Sequence, residues 1–107
     1  DLKSYMSDVA MDVATPVDGG SFSIGMNVVA DMGADGEDTI TLPASAASLI
    51  GKKVMIKAPS DCSAARFLTV ATQASAQKID SVDSIRLESP NAAVTLVYVA
   101  ADQWKVF

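Results

Sequence analysis

The chain has 107 residues, half of them hydrophobic but only 6% aromatic, and a formal net charge of −5. This length fits a single domain, and the acidic balance lacks the basic footprint of a nucleic-acid-binding protein. No apolar run approaches the roughly 20 residues needed to span a bilayer, and no basic-then-apolar start marks a signal peptide. We therefore expect neither nucleic acid nor a membrane as a partner.

In chain order, the first segment is residues 1–19, which are polar and acidic and have no regular apolar period. Asp8, Asp12 and Asp18 interrupt its apolar positions, and the stretch TPVDGG at 15–20 is a turn or linker signal. The pattern predicts an extended N-terminal arm over 1–19, followed by a β domain over 20–107.

The first strand is predicted from Ser21 to Ala30, because apolar and small or polar residues alternate there with the period of a half-buried strand. Its apolar set is Phe22, Ile24, Met26 and Val28. The stretch ADMGADGED at 30–38 then interrupts the pattern with two glycines and four acids, which predicts an exposed loop.

The rest of the chain alternates short strands with turn signals. Thr39 to Leu42 is a short β-branched run, and Pro43 to Leu49 fits either one or two helical turns or a loop. Further strands are predicted at Lys52–Lys57, Arg66–Thr72, Lys78–Asp80, Ser84–Glu88, Ala93–Val99 and Trp104–Phe107. This spacing predicts an all-β single domain, an antiparallel β-sandwich or barrel of short strands with at most one short helix.

The charge is distributed unevenly along the chain. Residues 1–43 contain eight acidic residues and one lysine, whereas residues 44–107 contain five acidic and seven basic residues. One interpretation is an ordinary solvated surface. The other is an acidic front and a mildly basic back that orient identical subunits, or a larger partner, as they meet.

The residue inventory argues against an enzyme. The chain has no histidine, so it lacks the side chain that most often acts as a base near neutral pH. Cys62 is the only cysteine, so it forms no internal disulfide, which fits synthesis in a reducing cytoplasm. Without a neighbouring base we expect Cys62 to be a packing residue rather than a nucleophile. No catalytic or cofactor-binding residue is predicted.

The acidic stretch from Asp31 to Asp38 resembles a calcium loop only superficially. An EF-hand loop needs oxygen ligands at positions 1, 3 and 5 and a glutamate at position 12. Counted from Asp31, position 3 is Gly33 and position 12 is Leu42. The match fails, so we predict no metal ligands and interpret the stretch as a solvated loop, with a nonstandard calcium site as the alternative.

The last quarter of the chain, IDSVDSIRLESPNAAVTLVYVAADQWKVF at 79–107, contains the most specific pattern. It combines an Ile-Asp start, a Ser-Ile-x-Leu strand, a Ser-Pro turn, an Ala-Val-Thr-Leu-Val strand and Trp-x-Val near the end. This order resembles a C-terminal signature of small virion proteins of tailed bacteriophages. Those proteins often have glycine or asparagine in the last turn, where this chain has Ala100-Ala101-Asp102.

The resemblance implies a final hairpin. Its expected core or subunit contacts are Val97, Val99, Trp104, Val106 and Phe107. One face of the hairpin would fill the subunit core, and the other would pack either at a subunit boundary or within the same subunit. These two arrangements stay open from the sequence, because a half-buried strand predicts both.

The same resemblance implies a non-enzymatic function. It predicts a capsid decoration (cement) protein, a homotrimer that binds the major capsid protein on the outer surface of the head and clamps neighbouring capsid subunits. Residues 1–19 are the predicted clamp, but the sequence identifies no residue that contacts the capsid. The alternative is a trimeric tail fibre or spike module for receptor binding or assembly, with the loop at 30–38 as its tip.

Overall fold

A computed structural model describes residues 13–32 and 37–107. Within these ranges there are nine strands and one short 3₁₀ helix at Ala47–Leu49, and no helix is long and apolar enough to cross a membrane. The strands are β1 Val13–Ala14, β2 Gly25–Val28, β3 Glu37–Thr41, β4 Lys53–Lys57, β5 Phe67–Ala71, β6 Lys78–Ile79, β7 Ser84–Leu87, β8 Ala93–Ala100 and β9 Gln103–Val106. The predicted all-β class, with at most one short helix, is confirmed for the described residues.

The strands form a six-stranded sheet, in the order β1-β2-β4-β8-β9-β6, and a three-stranded sheet, in the order β3-β5-β7. Both sheets are mixed. The pairs β4–β8, β8–β9 and β5–β7 are antiparallel, whereas β1–β2, β2–β4, β3–β5 and β6–β9 are parallel. The prediction of a wholly antiparallel domain is therefore wrong.

The reason lies in the path of the chain. From β2 to β8, successive strands alternate between the two sheets, so strands that follow each other in sequence do not pair. The pairs β2–β4 and β3–β5 instead join a strand to the next but one, and they run in the same direction. Turn signals and apolar alternation do not specify which sheet a strand joins.

Buried residues of both sheets form one hydrophobic core. The six-stranded sheet contributes Val54, Ile56, Leu96, Tyr98 and Trp104, and the three-stranded sheet contributes Ile40, Leu68 and Val70. Cys62 is also fully buried, and its Sγ–H donates to the Leu87 carbonyl oxygen at 3.0 Å. The structure thus confirms Cys62 as a packing residue.

Strand β2 turns its apolar residues to solvent, whereas its sequence predicts that they face the core. Its apolar residues Met26 and Val28 are 39% and 37% exposed, whereas Asn27 between them is 2% exposed. The Asn27 amide explains the orientation, because Oδ1 accepts the Ser23 N–H at 2.9 Å and Nδ2 donates to the Met55 carbonyl oxygen at 3.1 Å. Buried polar groups need such partners, so the bonded Asn27 faces inward and its apolar neighbours face solvent.

Part of the predicted arm contacts both sheets. Val13–Ala14 forms β1 and pairs with the edge of β2. The Thr39 N–H in β3 donates to Asp18 Oδ1 at 2.8 Å, and the Gly19 N–H donates to the Thr39 carbonyl oxygen at 2.9 Å. Residues 1–12, the rest of the arm, lie outside the described residues.

Candidate interaction surface

The C-terminal hairpin of β8 and β9 contains the five residues expected to contact the core or a neighbouring subunit. The register pairs Tyr98 with Trp104 on the inward side and Val97 with Lys105 on the outward side. Trp104 is fully buried, whereas Val99 is 36%, Val106 39% and Phe107 77% exposed. The structure thus places Trp104 in the subunit core, Val97 and Val99 on the opposite face, and Val106 and Phe107 at the open end of β9.

The hairpin is anchored by Tyr98 and Trp104. Their rings meet edge to face, with centroids 5.0 Å apart and planes at 61°. The Tyr98 hydroxyl shares a hydrogen bond with the Ser45 hydroxyl and accepts the Asp102 N–H at 2.7 Å. The indole Nε1 is buried and makes no hydrogen bond to a described residue, so Trp104 contributes through packing rather than polar contact.

The turn between β8 and β9 has an unusual backbone conformation. Asp102 adopts a left-handed conformation with φ of 59°, which aspartate tolerates better than most residues other than glycine and asparagine. A register shift between Tyr98 and Ala100 marks a β-bulge just before this turn. Asp102 thus takes a backbone conformation that glycine and asparagine also adopt readily.

A second left-handed turn joins β6 to β7. Ile79 and Val82 exchange two backbone hydrogen bonds of 2.7 and 2.9 Å, and the two residues between them, Asp80 and Ser81, have φ of 46° and 75°. Asp80 Oδ2 also accepts the Val106 N–H at 3.1 Å. This tight turn therefore also holds the end of β9.

The side of the six-stranded sheet opposite the core is here called the outer face. Its register places Val13, Met26, Met55 and Thr95 in one row across β1, β2, β4 and β8. A groove of about 220 Å³ runs over this row. Its outward-pointing walls come from Met26, Val28, Met55, Lys57, Ala93 and Thr95. The centre of the outer face is therefore apolar and open to solvent in a single subunit.

Lysines surround this apolar centre. The strands of the six-stranded sheet contain four lysines and no acidic residue. Lys53, Lys57 and Lys105 lie on the outer face, where the register pairs both Lys53 and Lys105 with Val97. Lys57 Nζ donates to the Asn91 carbonyl oxygen at 2.7 Å, and Lys105 Nζ lies 3.8 Å from Asp80 Oδ1. The outer face thus combines an apolar centre with a basic rim.

A second surface, here called the acidic cleft, follows the ends of β1 and β2. It has a volume of about 190 Å³ and is lined by Thr15, Pro16, Val17, Asp18, Ala30, Asp31 and Asp38. Val17 is 69% exposed, and Asp18 and Asp31 beside it in the lining are exposed as well. The cleft thus presents one protruding apolar side chain together with two accessible carboxylates.

The structure offers no metal centre in the part of the chain it describes. No three side chains among His, Cys, Asp and Glu in residues 13–32 and 37–107 come together as a potential metal site. Residues 33–36, in the middle of the acidic stretch considered for calcium and for a tail-module tip, lie outside the described residues.

Comparison with known proteins adds no family. The sequence matches no protein-family model. A search of curated proteins finds no significant match either. The phage origin suggested by residues 79–107 therefore stays a prediction.

Sequence reasoning identified the C-terminal hairpin but missed the outer face. Met26 and Val28 have the alternation of core residues, and only the inward bonding of Asn27 turns them to solvent. One signal was present in β4, where Lys53, Met55 and Lys57 alternate with Val54 and Ile56. That pattern places Met55 on the same face as Lys53 and Lys57, opposite the buried Val54 and Ile56.

Proposed function

We propose that this chain is a non-enzymatic virion protein, a capsid decoration (cement) protein that binds the outer surface of a tailed-phage head and clamps neighbouring capsid subunits. The observation that carries the proposal is the outer face, where a largely apolar row crosses four strands and stays partly exposed among the described residues. Contiguous exposed apolar surface typically marks a protein interaction site. The resemblance of residues 79–107 supplies the kind of assembly.

The proposed mechanism is burial of surface. Contacts that form only on the assembled head stabilise the head by mass action, by about 2.7 kcal/mol per site when the free protein is at 100 times its Kd. Decoration of many sites multiplies this effect and opposes the pressure of packaged DNA. No bond is made or broken, which is consistent with a chain that has no histidine.

Residues 1–19 are the proposed clamp. Their described part adds the short strand β1 to the edge of β2, which is a common way for an extended segment to bind a sheet. Residues 1–12 precede this strand directly and provide about 40 Å of reach when extended. In this proposal they lie across the major capsid protein.

We further propose that the two sheets stack as a sandwich and that three copies form a homotrimer at three-fold or quasi-three-fold positions. In the trimer, Val97 and Val99 lie at a subunit boundary because they point away from the core that holds Trp104, and the exposed Val106 and Phe107 at the end of β9 extend this boundary. Light scattering during size exclusion measures the mass directly. We expect three times the 11.1 kDa subunit; a stable monomer at micromolar concentration contradicts the trimer.

The decoration function is tested by binding. The purified chain is mixed with expanded heads, unexpanded heads and host cells of the phage that encodes it, and bound protein is measured after sedimentation. We expect saturable binding to expanded heads and none to cells. Binding to cells without binding to heads supports the alternative, a trimeric tail fibre or spike module for receptor binding or assembly.

A further inference from the structure

We propose that the outer face of one subunit binds the acidic cleft of the next, so that identical subunits join head to tail. The inference rests on the proposed homo-oligomer and names the two surfaces that form it. In this arrangement, a second copy of this chain occupies the groove over Met26 and Met55.

Charge excludes the simplest alternative, a symmetric pairing of two outer faces. No strand of the six-stranded sheet contains an acidic residue. Two outer faces packed together would bring Lys53, Lys57 and Lys105 of one copy near the same lysines of the other. Like charges brought together at an interface are unfavourable, so a partner with acidic groups suits this face better than a second outer face does.

The acidic cleft has the complementary chemistry. Val17 protrudes from it with 69% of its surface exposed, and an apolar side chain gains free energy when it leaves water. The carboxylates of Asp18 and Asp31 lie in the same lining. When Val17 enters the groove between Met26 and Met55, these carboxylates approach the lysine rim of the outer face.

The two surfaces are separate, as a head-to-tail contact requires. No residue lines both the groove and the cleft, so one subunit offers both surfaces at once. Contacts between two different patches are heterologous, and they close into a ring or continue as an open filament according to the rotation between neighbours. A closed ring of three copies is the proposed trimer.

The test uses paired charge reversals in the full chain. The face variant combines Lys53→Glu with Lys57→Glu, and the cleft variant combines Asp18→Lys with Asp31→Lys. Each should weaken association at least tenfold, measured by analytical ultracentrifugation. A variant with all four changes restores opposite charges across the contact and should regain most of the wild-type association. Val17→Ser, which removes the protruding apolar group, should also weaken association at least tenfold.

Two controls separate this contact from other effects. Lys52→Glu with Arg86→Glu changes the net charge by the same amount as the face variant but leaves the outer face intact. This control should therefore keep the wild-type mass. Thermal melting by circular dichroism shows whether each variant is folded, which matters because Asp18 also accepts the Thr39 N–H.

The outcomes distinguish this inference from the proposed function. Wild-type mass in the folded face variant overturns the inference and leaves the trimer and the decoration function standing. A folded fourfold variant that stays dissociated also overturns it, since the two surfaces then do not pair. A wild-type chain that is monomeric overturns both the trimer and this contact, while binding to expanded heads still reports on decoration.

Discussion

Replacement of Trp104 by alanine should strongly destabilise the subunit. The side chain is fully buried and packs edge to face against Tyr98 at a centroid distance of 5.0 Å. Removal of a buried tryptophan costs about 3–5 kcal/mol, because transfer energy is lost and a cavity remains. The whole domain has only about 5–15 kcal/mol of stability. We therefore expect Trp104→Ala to lower the melting temperature by about 15–30 °C.

Two further variants separate packing from other contributions of Trp104. Trp104→Phe keeps an aromatic ring and removes an indole N–H that is buried without a described hydrogen-bond partner. Burial of an unpaired donor costs about 1–3 kcal/mol, and Trp104→Phe removes this cost. The free energy of unfolding should therefore fall by only about 1–2 kcal/mol. Val106→Ala, on the same strand but 39% exposed, should lose less than about 1 kcal/mol.

The assay is thermal melting by circular dichroism together with the mass in solution. In the wild type, Trp104 is the only tryptophan, so its fluorescence reports the same transition independently. A ligand platform would behave differently, because its loss leaves stability unchanged. A Trp104→Ala protein that melts within two degrees of wild type with unchanged mass would refute the assignment of Trp104 to the core.

Five other changes, in three sets, test features that the structure adds. Asn27→Leu should cost about 2–3 kcal/mol by urea unfolding, because the Ser23 N–H and the Met55 carbonyl lose their buried partner; an unchanged midpoint contradicts the role of this amide. Ser81→Gly should raise the free energy of unfolding by about 0.5–1 kcal/mol, because glycine adopts the left-handed conformation at φ 75° without strain. Gly51→Ala, which places a side chain on a left-handed residue at φ 86°, should lower it by a similar amount. Deletion of residues 1–12 should keep cooperative melting and weaken head binding, but deletion of 1–19 should also lower the melting temperature, since it removes β1 and the bonds to β3.

The strand pattern of this protein could be predicted from its sequence. The strands observed at Lys53–Lys57, Phe67–Ala71 and Ser84–Leu87 lie within one residue of their predicted bounds. Alternation and turn residues act over a few neighbouring positions, so a single chain contains this information. The same local pattern predicted that Trp104 contacts either the core or a neighbouring subunit, and the structure places it in the core.

Only the tertiary structure decided how these strands pair and which faces stay open. The alternation of the chain between two sheets made parallel neighbours of β2 and β4, a relation between segments far apart in sequence. Four hydrogen bonds of the Asn27 amide, one of them across to the Met55 carbonyl, turned Met26 and Val28 outward against their apolar character. Burial of a polar group depends on partners that distant residues supply, and the local pattern does not contain those partners.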